Sequence, residues 1–171
     1  MNSKLTLLAF IEILSALSMG IFILAASYQL LKYIGKKRYG IYENNQAYSI
    51  FMASVLFSVG YTVSSATQPL ISLFRILATK EDDALSLLLK FIATGGIYIA
   101  MAYIIGATIC LIGIVVYTYL TPVKEFAELK NNNLAVALVV GSIIITLSLL
   151  TKDGVSLLLE SFIPYPDQYP K

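Results

Sequence analysis

The chain has 171 residues, 58% hydrophobic and 13% charged, with a formal net charge of +2. A soluble domain carries about 25% charged residues, so the polar surface that would clothe a water-soluble globule is missing, and with no basic run interleaved with aromatics nucleic acid is excluded as a partner. The sequence holds no histidine, which excludes serine–histidine triads, zinc-hydrolase motifs and haem–histidine ligation, so neither a cofactor nor a metal is expected.

The first apolar stretch is Leu5–Leu31, broken only by Glu12. It exceeds the 7–15 residues of a signal-peptide core and reads as a retained membrane span. Glu12 lies roughly 10 Å past Leu5 at about 1.5 Å per residue. An unpaired carboxylate at that depth is costly. It is expected either as an interfacial carboxylate that reaches water or is held in an ion pair, with Arg75, Lys90 or Lys152 as partner, or at an ion or proton site. Loop one, 32–46, carries Lys32, Lys36, Lys37 and Arg38 and ends in Asn44-Asn45-Gln46.

The second span runs from Ala47 to about Ala66. Ser64, Ser65, Thr67 and Gln68 at its end form a polar cluster that could line a vestibule. Pro69–Phe74 follows as a short surface appendage. Loop two centres on Thr79-Lys80-Glu81-Asp82-Asp83. The third apolar stretch, Leu85–Leu120, carries Lys90 near its start and small residues at Gly96, Ala100, Ala102, Gly106, Cys110 and Gly113. Small residues four apart allow close helix approach in lipid. Cys110, the single cysteine, reads as one of these packing residues and permits no internal disulfide.

Loop three, 121–133, is the most legible connection. Thr121 is placed to cap a helix and Pro122 suits its first position. Glu125 then falls in the first turn, near the positive helix end. Val123, Phe126 and Leu129 recur on one face, which predicts a short amphipathic helix on the membrane surface. Asn131-Asn132-Asn133 can end that helix in a left-handed residue and cap the next. The segment is either an elbow or, further, a cytoplasmic binding surface. The fourth span is Leu134–Leu150. Lys152-Asp153-Gly154 is a turn signal, Val155–Phe162 a second appendage, and the proline-rich tail 164–171 an extended strap.

The expected fold is an all-α membrane protein with four transmembrane helices, arranged as two tandem parallel-repeat hairpins with short interfacial helices. The first hairpin occupies 1–78, with spans of about 5–31 and 47–66. A connecting loop occupies 79–84. The second hairpin occupies 85–163, with spans of about 91–120 and 134–150. Aligning Asn44-Asn45 with Asn132-Asn133 also pairs Lys36 with Lys124, Ala47 with Ala135 and Ser54 with Ser142. Both hairpins then point the same way, unlike inverted transporter repeats. The dense Lys36-Lys37-Arg38 cluster puts loops one and three in the cytoplasm and the termini outside.

The run Tyr117-Thr118-Tyr119-Leu120-Thr121-Pro122, then Glu125, then Lys130-Asn131-Asn132-Asn133-Leu134-Ala135-Val136-Ala137-Leu138 resembles the signature of the YjfL-type family, a domain of unknown function (domain of unknown function 350). In the first half Ile34-Gly35 stands where the motif has Thr-Pro, and only Asn44-Asn45 and Ala47 remain. The resemblance implies residence in the bacterial inner membrane and supplies no reaction. The expectation is a non-enzymatic scaffold or subunit of an oligomeric envelope complex, self-associating in the lipid bilayer and contacting other envelope proteins. Its candidate interface elbow comprises Thr121, Pro122, Glu125, Phe126, Asn131, Asn132, Asn133, Asn44 and Asn45. The alternative is an oligomeric ion channel or small-solute transporter, with Glu12, Ser64, Ser65, Gln68, Arg75 and Lys90 as its intramembrane polar site.

Overall fold

Apolar runs of this length leave the backbone no water to bond, so each must close its own hydrogen bonds as a helix. The structure is a computed structural model that describes residues 3–42, 44–80, 84–121 and 124–164, with the side chains of 3–16, 18, 80 and 84 outside the description. Every described element is helical: α1 (Ser3–Tyr39), α2 (Gln46–Val63), a 3-10 turn (Ser64–Ala66), α3 (Thr67–Lys80), α4 (Ala84–Leu120), α5 (Glu125–Lys130) and α6 (Leu134–Ser161). Glu12 lies on α1, its side chain outside the described residues, as are Pro122, Val123, loop two from Glu81 to Asp83, and the tail from Tyr165.

Among the described residues, three helical stretches are long and apolar enough to cross a bilayer: Gln46–Thr79 (34 residues), Leu85–Leu120 (36) and Leu134–Ser161 (28). They are consistent with a multi-pass membrane protein. At about 1.5 Å per residue the shortest runs roughly 42 Å against a hydrocarbon core of about 30 Å. The helices therefore continue past the membrane core, and the second appendage is no separate element. The turn expected at Lys152-Asp153-Gly154 does not form. α6 passes straight through it to Ser161, because Gly154 inside a helix costs only about 1 kcal/mol and Val155 and Leu159 beyond it are buried.

Between α2 and α3 the helix tightens rather than ends. Pro69 has no N–H and its ring crowds the carbonyl four residues back. The 3-10 turn at Ser64–Ala66 sits immediately upstream. Ser64 Oγ donates to Tyr61 O at 2.7 Å, Ser65 Oγ to Thr62 O at 2.6 Å and Thr67 Oγ1 to Ser64 O at 2.8 Å. Hydroxyls here return to the backbone of their own helix, which is how proline breaks are tolerated in membrane segments.

The broadest interface joins α2 to α6, with α4 packed across both and α3 against α4. α1 touches the rest mainly through α2 and, at its end, α5. Ala47, Phe51, Val55 and Val59 of α2 share one core with Val136, Ala137, Val140 and Ile144 of α6. At Gly141 the two helices pack tightly: a Cβ there would overlap Ser54 Oγ. Of the small residues on α4, Ala102, Gly106, Cys110 and Gly113 are buried, whereas Gly96 and Ala100 face outward.

The pairing of the two halves holds at their caps but not along their faces. Asn45 and Asn133 are the N-caps of α2 and α6. Ser54, however, is buried while Ser142 is exposed, and Ala47 is buried while Ala135 is exposed. The inward faces are rotated relative to each other by about one residue, roughly 100° on a helix, because α2 and α6 pack on each other from different sides of the central cluster.

Gly141→Val therefore forces α2 and α6 apart and is expected to lower stability by about 1–3 kcal/mol. Gly20→Ala, where an added Cβ meets nothing within 4 Å, should be neutral. Thermal unfolding of both variants in detergent checks this.

Candidate functional site

A helix leaves its first four N–H groups without intrahelical partners. At α2 these are met from both halves of the chain. Asn44 adopts φ 75°, which reverses the backbone, and Asn45 follows in an extended conformation as N-cap. Tyr48 N–H donates to Asn45 Oδ1 at 2.7 Å. Ala47 N–H donates across the molecule to Asn132 Oδ1 at 2.9 Å, a partner 85 residues away. The other end of the Asn45 amide donates from Nδ2 to Leu129 O at 2.7 Å and Lys130 O at 3.2 Å. One amide thus caps the start of α2 and closes the end of α5.

Loop three is built on the same chemistry. Asn132 has φ 62°, its N–H donates to Leu129 O at 3.1 Å, and Asn133 N–H donates to Glu128 O at 3.0 Å. This is the Schellman closure, with asparagine in place of glycine. Asn133 Nδ2 donates to Glu128 Oε2 at 2.8 Å, and Asn133 Oδ1 accepts Val136 N–H at 3.3 Å. The expected helix end and restart at Asn132-Asn133 are both found. Asn131 is the exposed C-cap of α5.

The start of α5 differs from expectation. Its N-cap is Lys124, with no side-chain hydrogen bond. Thr121 instead returns its Oγ1 to Tyr117 O at 2.9 Å and belongs to the end of α4. The amphipathic face also turns another way. Phe126 stacks on Tyr39 at 3.9 Å and 5°, and meets Phe51 edge-on at 5.8 Å and 77°. Leu129 is fully buried. The apolar side of α5 is bound by α1 and α2, so the helix is clamped into the protein rather than laid on lipid. Glu125 turns inward and is 7% exposed, its Oε1 without a hydrogen-bond partner among the described residues.

Sequence reasoning missed Tyr48 and Gly35. Tyr48 Oη donates to Leu31 O at 2.6 Å and so ties α2 to α1. A Cβ at Gly35 would lie 2.6 Å from the Tyr48 ring, so the glycine admits the tyrosine. The Gly35 in place of proline was the signal available. The basic residues gather on this head too: Lys130 Nζ lies 3.5 Å from where a Cβ of Gly40 would stand, at the end of the helix carrying Lys36, Lys37 and Arg38.

The second set of predicted residues is spread along α1, the 3-10 turn, α3 and α4. Ser64, Gln68, Arg75 and Lys90 are exposed, and Ser65 is buried with its hydroxyl on its own helix. Lys152 lies 4.4 Å above the Tyr61 ring, a cation–π contact. A buried hydroxyl stripe does exist along α2, at Ser54, Ser58 and Thr62, and continues to Ser65 in the 3-10 turn, with Ser148 on α6 also buried. Ser58 Oγ and Ser148 Oγ lack a hydrogen-bond partner among the described residues.

Residues 86–162, from the beginning of α4 to the end of α6, match the family model described as Domain of Unknown Function (DUF350). The match bears out the family resemblance and does not extend to the narrower YjfL-type label. No curated protein and no solved structure matches the chain.

Asn132→Gly keeps the left-handed backbone but removes the cap on Ala47, and should cost about 1 kcal/mol. Asn132→Ala removes the same cap and adds left-handed strain, for a further 1–2 kcal/mol or so. Equilibrium unfolding of the two variants in detergent separates the cap from the strain.

Proposed function

Taking residues 86–162 as a DUF350 domain, we propose that the protein is a non-enzymatic scaffold or subunit of an oligomeric complex in the bacterial inner membrane. It crosses four times as two parallel hairpins, with α1 as the first crossing and the paired elbows in the cytoplasm. The observation that carries this reading is the asparagine clasp. It joins both elbows into one polar head, with Asn45 and Asn132 meeting at the start of α2. A head fixed by hydrogen-bonded caps offers a preformed surface, and preformed surfaces lose less ordering entropy when a partner docks.

Other observations favour the same reading. Lys36, Lys37, Arg38, Lys124 and Lys130 belong to this head, as the positive-inside bias requires of a cytoplasmic side. α1 presents Ile21 at 60% and Phe22 at 74% exposure, an apolar flank that a second copy or lipid would cover. The chain has no histidine, and its one cysteine is buried in the packed interior.

A channel or transporter is the second reading. It rests on the hydroxyl stripe of α2 and on the unpartnered Ser58 and Ser148 inside the bundle.

Phe126 and Asn132 hold the head together, so altering them tests folding before it tests docking. Lys124 and Asn131 are exposed. Lys124→Glu with Asn131→Arg should leave thermal stability within about 0.5 kcal/mol and abolish partners recovered by crosslinking in cells. Ion or solute flux through reconstituted liposomes that disappears with Ser58→Val, while crosslinking is unchanged, would overturn the scaffold in favour of the channel.

A further inference from the structure

Below the clasp, α1 and α2 do not close on each other. Between them is a cavity of about 730 Å³, within the size range of small-molecule sites. One wall is a stripe of α1 in which Tyr28, Lys32 and Lys36 recur every fourth residue, the spacing that aligns side chains along one helix face. The facing wall is α2, with Asn45, Ser49 and Met52. Polar groups are graded along its length. Lys36 and Asn45 stand at the level of the elbows, while Tyr28 and Met52 lie deeper, roughly 10–12 Å toward the membrane interior at about 1.5 Å per residue.

That gradient has the dimensions of one lipid leaflet's polar zone. The headgroup region adds about 5–8 Å on each side of the hydrocarbon core. A groove reaching some 10 Å inward spans the headgroup and the first part of the chains. Cations on long apolar stems at the rim suit a phosphate at the surface. Lys37, one residue from Lys36, is directed elsewhere: its Nζ donates to Tyr33 Oη at 2.6 Å. Within the groove Tyr28 keeps 45% of its surface exposed, so an apolar ring waits beneath the cationic rim.

We propose that this groove binds the headgroup of an anionic phospholipid. The phosphodiester is held by Lys32 and Lys36 on α1, and the upper acyl chain lies along Tyr28 and Met52. The site depends on the chain lying in a bilayer and stands apart from the scaffold reading.

The test uses the full chain, delipidated in mild detergent, with bound lipid counted by native mass spectrometry during titration with dioleoyl phosphatidylglycerol, dioleoyl phosphatidylcholine or inorganic phosphate. Saturable binding of phosphatidylglycerol is expected, with phosphatidylcholine much weaker and inorganic phosphate unable to displace the lipid. Lys32→Gln with Lys36→Gln should weaken phosphatidylglycerol about ten-fold or more. Lys37→Gln should change nothing. Ser49→Glu, which sets a carboxylate on the facing wall, should reproduce the loss without touching either lysine, and circular dichroism and elution volume verify that each variant is folded. Equal retention of the two lipids, an undiminished double variant, or the same loss with Lys37→Gln would overturn the site. Displacement by inorganic phosphate would reassign it to a soluble anion and overturn the lipid.

Discussion

The start of α2 imposes the constraint on which the rest depends. Its first N–H groups open a membrane helix beside apolar side chains, where an unbonded donor costs about 1–3 kcal/mol. Asn45 satisfies Tyr48 N–H from within the first half, and Asn132 satisfies Ala47 N–H from the second. The local solution is thereby also a long-range one. Because Asn132 is followed directly by the N-cap of α6, bonding Asn132 to α2 fixes where α6 begins. α6 then descends beside α2, and the approach of Gly141 to Ser54 follows. α4 packs across the pair.

The same clasp changes the meaning of the elbow. Read along the sequence, loop one and loop three are two separate turns. Folded, they make one head, in which Phe126 is held by Tyr39 and Phe51 and the Asn45 amide closes α5. Candidate interface residues thus divide into those whose contacts build the head and those that only line its surface. Asn45, Glu125, Phe126, Asn132 and Asn133 make contacts that build the head, or are buried in it. Asn44 and Asn131 are exposed on its surface, as is the neighbouring Lys124. Any partner would touch the second group and depend on the first only through the shape it maintains.

Particular residues show how much was legible beforehand. Asn132-Asn133 could be read as a left-handed stop and an N-cap because asparagine has both properties in its own side chain and backbone. Thr121 could not be placed correctly. A threonine before Pro-x-x-Glu fits a cap as well as it fits a back-bond to the preceding turn, and only the position of α5 decides between them. Lys152-Asp153-Gly154 carried a valid turn signal that was overridden by burial of Val155 and Leu159. The hydroxyl cluster at Ser64, Ser65 and Thr67 looked like a lining for water, yet its geometry satisfies the backbone around the Pro69 break. Tyr48 and Gly35 carried no pattern of their own, since their relation is a contact between two helices.

Composition and local residue preferences set the solvent and the helical character of the long segments. Hydrophobicity sustained over these lengths specifies helices in a bilayer, and the asparagines specify where two of them start. Those are local properties: each follows from a residue's transfer energy or from its own backbone preference. Tertiary structure alone decided which asparagine caps which helix, which side of α5 faces protein, and that α1 and α2 leave a cationic groove between them. In hydrocarbon an apolar face has no solvent to avoid. The pattern of apolar residues therefore cannot say which face turns inward, and close packing and hydrogen-bond satisfaction settle it instead.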